Sequence, residues 1–352
     1  MKRLDESPDP RVLLSDPSAC LRSLVLRRLL HRPARDPEVL ELVPLLRRDP
    51  MVSGLLALQR KDGSWRRPGE GRFAQGPLVA TSVALSRLAF LGFDGAFPPV
   101  RRAAAWLYGT QRKDGSWPLG DEGDEEGRGY SMMPLQTALP LGALARAGFA
   151  EDPRSEKAYE WLLAQRLPDG AWPTGTASGV HGYVAGYRKL AHSRWGCRSN
   201  TTASLVCLAH HPVRAKGGEA RLALDHLLGR ETREKTTLGF EAARLAGFEE
   251  ARGFITFHGV HDPALLLELS ARCGATAEDG RVADLAAFAE AQRGPFGAWD
   301  YAADPRASGW VSCAVWTALE TLRGNAEGAE TSMHSAMPRT PFRAYPKNRR
   351  RY

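Results

Sequence analysis

Between Tyr183 and Arg198 the chain collects side chains suited to holding a small anion. Tyr183, Tyr187, Arg188, Lys189, Arg194 and Arg198 surround the thiol of Cys197. Cations at the start of a helix reinforce its positive dipole end and its unbonded N–H groups, a combination that binds phosphate or carboxylate. Further along stand His258, His261 and Asp262, and the Asp262-Pro263 pair has the form of an N-cap followed by proline at the first helical position. An imidazole or a carboxylate so placed is a candidate general acid or base. The plainer reading is a buried thiol, a capping carboxylate, hydrogen-bonded histidines and a solvated basic loop.

The elements that position these residues come from a repeat. Four segments share one pattern, Leu55 to Trp65, Trp106 to Trp117, Trp161 to Trp172 and Phe288 to Trp299, with glutamines at Gln59, Gln111, Gln165 and Gln292. Each ends in Gly-x-Trp. The unit is about 50 to 65 residues long, the range of helical repeat proteins. The wide gap between the third and fourth copies holds a degenerate one around Asp225 to Glu231 that lacks the Gly-x-Trp end, which makes five repeats. In each, an apolar helix (Thr81 to Leu91, Leu135 to Ala147, Thr202 to Ala209, Ala264 to Ala271, Val311 to Leu322) precedes a more charged, amphipathic one. The apolar helices read as an inner layer and the amphipathic ones as an outer layer. A feature copied in every repeat is a structural staple, with Asp-Gly ending the outer helix and Gln and Trp tying the turn to its neighbours.

An N-terminal hairpin of Ala19 to Leu30 and Pro37 to Leu58 precedes the repeats. Residues 1–325 are therefore expected to form one α/α toroid domain, with the hairpin at about 16–58 and the repeats at about 59–322. Residues 326–352 form a basic, poorly ordered tail. The fold class is all-α, a ring of five to six helical hairpins.

Composition fits this reading. The 352 residues are 43% hydrophobic and 25% charged, enough apolar material for a large core. The net charge of +8 suits an anionic partner such as a membrane surface or a diphosphate ester; part of it sits in the tail, and no specific nucleic-acid motif accompanies it. Peripheral membrane contact is compatible with that charge. A membrane span is not expected, because the most apolar stretch, Leu78 to Phe93, is short and carries Arg87. Five dispersed cysteines without a CxxC pair point to a reduced, cytoplasmic setting. Cys207, Cys273 and Cys313 read as core residues, and His210-His211-Pro212 as a helix stop. Trp310 and Trp316, on the last apolar helix, have the chemistry to stack on a polyene cation, with core packing as the alternative.

The Leu-x-x-x-Gln-x-x-Asp-Gly-Ser-Trp pattern resembles the QW motif of squalene-hopene cyclases and the related repeats of protein prenyltransferase β subunits, over roughly Leu55 to Leu322. The resemblance implies the toroid and a central cavity for an isoprenoid or similar apolar, anion-headed molecule. Class II terpene cyclases carry an Asp-x-Asp-Asp acid, and no such motif occurs here; the acidic run Asp121 to Glu126 has the wrong spacing. Prenyltransferases instead bind zinc through Asp, Cys and His, with cations just upstream of the Cys. By that likeness Cys197, His258 or His261, and Asp262 form the zinc set, in tetrahedral coordination with one open position. Trp195, however, stands where the family has its Asp. The likeness assigns Tyr183, Tyr187, Arg188, Lys189, Arg194, Arg198 and Trp310 to the substrate. A lanthipeptide-cyclase set would need Cys-His-Gly, whereas this chain has Phe257-His258-Gly259. The competing class is a non-catalytic ligand-binding or protein-interaction scaffold on the same fold. The sequence sets neither the partner subunit nor the oligomeric state.

Overall fold

The computed structural model describes residues 9–66, 76–117, 133–174, 196–229, 237–250 and 259–328. Among them the structure is helical, with no strand beyond one isolated bridge between Pro173 and Gly196. The all-α class expected from the repeats is what the chain adopts. Two compact units emerge, one of residues 55–227 and 251–261, the other of residues 1–54, 228–250 and 262–352.

The 55–227 unit contains three hairpin turns. Outer helix α3 (Pro50–Ala57), which runs into it, is followed by inner α4 (Gly76–Phe90), outer α5 (Pro98–Gly109), inner α6 (Pro134–Arg146), outer α7 (Pro153–Ala164), inner α8 (Arg198–Ala209) and outer α9 (Gly218–Leu228). Inner helices pack on one another in order, α4 on α6 and α6 on α8. The middle one is the most enclosed: α6 hides eleven of its thirteen residues. Such a helix needs partners on every side, which is why its sequence lacks a polar stripe.

The Gly-x-Trp turns join the layers through one repeated set of bonds. Each indole Nε1–H donates back to the carbonyl of its own outer helix, at Leu55, Leu107 and Leu162 (2.7–2.8 Å). Each tryptophan backbone N–H donates to a hydroxyl on the following inner helix: Trp65 to Thr81, Trp117 to Thr137 and Trp172 to Thr201 (3.0–3.1 Å). Gln59 and Gln111 donate to their own turn and across to the next outer helix, at Pro99 O and Arg154 O (both 2.9 Å). Gly63 sits at φ 93°, and a Cβ there would fall 2.4 Å from Arg102 O. Only glycine fits that close crossing of turn and outer helix.

The other unit holds α1 (Ala19–Leu24), α2 (Pro37–Leu46), α10 (Phe240–Ala246), α11 (Pro263–Arg272), α12 (Gly280–Glu290) and α13 (Ser308–Gly328). The fourth turn repeats the pattern: Trp299 Nε1 donates to Ala289 O at 2.7 Å and its backbone N–H to Ser312 Oγ at 2.8 Å. Inner helices α11 and α13 pack together, and α10 packs on both.

Several boundaries differ from expectation. The stretch expected as one helix from Pro37 to Leu58 is two, because buried Asp49 takes the Met51 N–H and Pro50 opens α3. The helix expected from Ala19 to Leu30 passes from α1 into a π-turn, Val25–Leu29, and closes with His31 at φ 50°. Helix α10 falls in the helix-like stretch after the degenerate copy, for which the sequence set no bounds. It ends as inner helices α4 and α6 do, with a left-handed glycine (Gly247, φ 93°) and a following N–H, from Phe248, that reaches back to Ala243 O at 2.9 Å. The tail expected from residue 326 starts inside α13, which runs to Gly328; its remainder, 329–352, and the acidic run at 121–126 lie outside the described residues.

Candidate functional site

Of the residues singled out in the sequence, Tyr183, Tyr187, Arg188, Lys189, Arg194 and His258 lie outside the described residues. Cys197, Arg198, His261, Asp262 and Trp310 lie within them.

Cys197 is the N-cap of α8 and is half-buried; its backbone N–H donates to Trp172 O at 2.7 Å, fastening the helix start to the third turn. Its side chain makes no capping bond to the helix. Arg198 opens the helix. The Gly259 to His261 segment packs against this first turn so closely that a Cβ on Gly259 would meet Ser199 O at 2.5 Å. His261 consequently stands near Arg198. Burial first, and then the Arg198 charge, push its imidazole down to about 4, so it is neutral at physiological pH. In this unit the structure thus brings together three of the expected elements: a thiol, a guanidinium and a neutral imidazole at the start of a twelve-residue inner helix.

Asp262 belongs to the other unit, at the N-cap of α11. It is 2% exposed, and its oxygens accept three backbone N–H bonds, from Gly239 (2.8 Å), Glu241 (2.8 Å) and Ala264 (2.9 Å). Burial raises its carboxyl to about 6 against the pull of those bonds, and the Glu241 carboxylate raises it further. Asp262 thereby caps α11 and holds the start of α10. Both oxygens accept backbone N–H bonds, and His258, another residue of the expected zinc set, lies outside the described residues. No group of three or more His, Cys, Asp or Glu suited to a metal occurs among the described residues.

Trp310, 1% exposed, lies in the first turn of α13, next to Val311, which would clash at 2.3 Å with a Cβ on Gly239. Trp316 packs edge-on against Trp299 with centroids 5.5 Å apart. The helix-stop reading of His210-His211 matches the end of α8 at Ala209. His211 Nδ1 accepts the N–H groups of Val213 and Arg214, so its Nε2 carries the proton and donates to Glu156 at 2.8 Å. Burial would raise the Glu156 carboxyl, but hydrogen bonds from Arg214 and His211 outweigh it and leave the group below its ordinary value.

Two side chains that the sequence reading did not single out stand beside these sites. Asn200 on α8 accepts the Leu135 N–H at 2.8 Å and so caps α6 from outside, where the N-cap residue Met133 makes no side-chain bond to the helix N–H groups. Arg244 is buried on α10 against Glu241.

Residues 44–188 match the family model described as the squalene-hopene cyclase C-terminal domain. A squalene–hopene cyclase of Bradyrhizobium diazoefficiens is 30% identical over 171 residues, 44% of this chain and 25% of the relative. One from Zymomonas mobilis is 31% identical over 134 residues, 36% of this chain and 20% of the relative. The chain thus spans a quarter or less of the length of these curated relatives. Among solved structures, a variant of the type II terpene cyclase MstE from Scytonema, in complex with geranylgeranyl dihydroxybenzoate, is similar with a TM-score of 0.35 and 14% identity, covering 87% of this chain and 98% of that one. A protein from Actinoplanes is similar with a TM-score of 0.34 and 16% identity, covering 80% of this chain and 99% of that one. The sequence matches support the terpenoid cyclase superfamily, as the repeats implied.

Among the described residues, no helix is long and apolar enough to cross a membrane.

Proposed function

We propose that the chain binds and acts on an isoprenoid, or a similar apolar small molecule with an anionic head, within its inner-helix layer. The observation that carries this reading is the start of α8. A long inner helix begins there with a cation, Arg198, without a side-chain cap from Cys197, and beside an imidazole, His261, held neutral. Helix dipole, first-turn N–H groups and guanidinium all favour an anion. Arg188, Lys189, Arg194, Tyr183 and Tyr187, nearby in sequence, are the further head-group candidates. Squalene-type cyclisation started by protonation is not part of the proposal, since the chain has no Asp-x-Asp-Asp motif. His258 and His261 are the candidate proton carriers.

A second reading is a ligand-binding or protein-interaction scaffold without chemistry. Asp262 favours it, because a carboxylate committed to three backbone N–H groups is a structural cap. Incubation with geranylgeranyl diphosphate and analysis of the organic extract separates the two. A cyclised or transferred product, abolished in Arg198→Ala, supports the enzyme; unchanged recovery of a bound ligand supports the scaffold.

A further inference from the structure

Helix α10 carries a buried ion pair where inner helices α4 and α6 carry small residues. Its Gly247-Phe248 end matches Gly92-Phe93 after α4 and Gly148-Phe149 after α6, which fixes the register. In that register Arg244 stands where the others have Ala89 and Ala145, and Glu241 where they have Ser86 and Gly142. A buried ion pair thus replaces small residues. Arg244 is 5% exposed, its Nε donates to Glu241 at 2.8 Å and its Nη2 at 2.7 Å, a side-on, two-bond contact. That contact fixes the guanidinium plane and leaves Nη1 without an acceptor, closed off from solvent. Arg281, equally buried against Asp279, has no such nitrogen.

Burying a charge pair is at best neutral against an apolar pair of the same size, and an unsatisfied charged donor costs more still. An inner helix that keeps both calls for an acceptor at Nη1. Glu241 already cancels the Arg244 charge, and the Asp262 carboxylate lies beside the same helix start, on the Glu241 N–H. An incoming anion would face both carboxylates. A neutral oxygen would not.

We propose that Arg244, oriented by Glu241, is the binding point for a neutral hydroxyl or carbonyl oxygen on an apolar ligand. The inference rests on the isoprenoid reading above and adds a selection for oxygenated over plain hydrocarbon chains.

The test compares binding of geranylgeraniol and of the hydrocarbon with the same skeleton, by tryptophan fluorescence on the full chain. The wild type is expected to bind the alcohol about tenfold more tightly, the worth of one good hydrogen bond. The Arg244→Met/Glu241→Met double variant exchanges the pair for apolar side chains of similar volume, and its ratio is expected to fall to about one with hydrocarbon binding intact. Equal binding of the two probes by the wild type, or a preference that survives in the double variant, overturns the Arg244 site and leaves the isoprenoid reading standing. Failure to bind either probe, or geranylgeranyl diphosphate, overturns both. Should the double variant not fold, a crystal structure of the wild type with geranylgeraniol decides. An alcohol oxygen on Nη1 supports the site, and a water there with the alcohol elsewhere refutes it.

Discussion

Thr137→Val isolates the bond that joins a turn to its inner helix. Thr137 and Trp117 are both at 0% exposure, and Thr137 Oγ1 accepts the Trp117 N–H at 3.1 Å. Valine has nearly the same shape, so the exchange opens no cavity; it leaves a buried backbone N–H without an acceptor. That cost is about 1–3 kcal/mol, larger than the net worth of an ordinary hydrogen bond, because the donor cannot return to water. The indole bond to Leu107 O, 2.8 Å, is left in place, so the turn should loosen locally rather than detach. Urea unfolding should show a lower midpoint with unchanged slope, and hydrogen exchange should quicken at the Trp117 amide before it does in the middle of α6. Stability within about 0.5 kcal/mol of wild type, the range of an inert surface change, would refute the reasoning. So would Trp117 amide protection equal to that of the wild type.

His261, with its imidazole pushed down to about 4, should titrate by NMR near that value, and Arg198→Met should raise the midpoint only part of the way, since burial is the larger cause. The stability this contributes is present above pH 6.5 and is lost as pH falls through 4. Asp262 runs the other way: its value is raised to about 6, so its contribution is full below its ordinary 3.8 and is lost as pH rises through 6. A shift of that size is worth about 3 kcal/mol, and Asp262→Asn should remove that component of the pH profile. Among the cysteines, Cys197 should react with a thiol reagent in the native protein, whereas Cys20, Cys207 and Cys313 are buried with their thiols pushed up by burial and should react only on unfolding. Metal analysis of the purified chain should find well under one zinc per molecule; one per chain, lost in Cys197→Ala, would contradict the assignment of Asp262 as a cap.

The repeat made most of the architecture legible, because the inner helices are rich in apolar residues and each Gly-x-Trp turn carries Gly and Trp at fixed places. What escaped has physical causes. The hydroxyls of Thr81, Thr137, Thr201 and Ser312 are separated from their tryptophans by loops of different length, so no fixed spacing exposes the pairing. The break between α2 and α3 is written in Asp49-Pro50, the same cap signal as Asp262-Pro263. At the site, a cap and a ligand carboxylate look alike in sequence; only the three N–H partners of Asp262 tell them apart. Arg244 and Glu241 went unnoticed because α10 is short, and its stop at Gly247-Phe248 was the one clue to its register.

Calorimetric titration of geranylgeranyl diphosphate into the wild-type chain and into Arg198→Ala tests the central claim most directly. Stoichiometric binding by the wild type, weakened about tenfold or more in the variant as expected for loss of a charge-assisted contact, is the predicted result. No binding by the wild type, or equal binding by both proteins, would contradict an anion-headed isoprenoid seated at the start of α8.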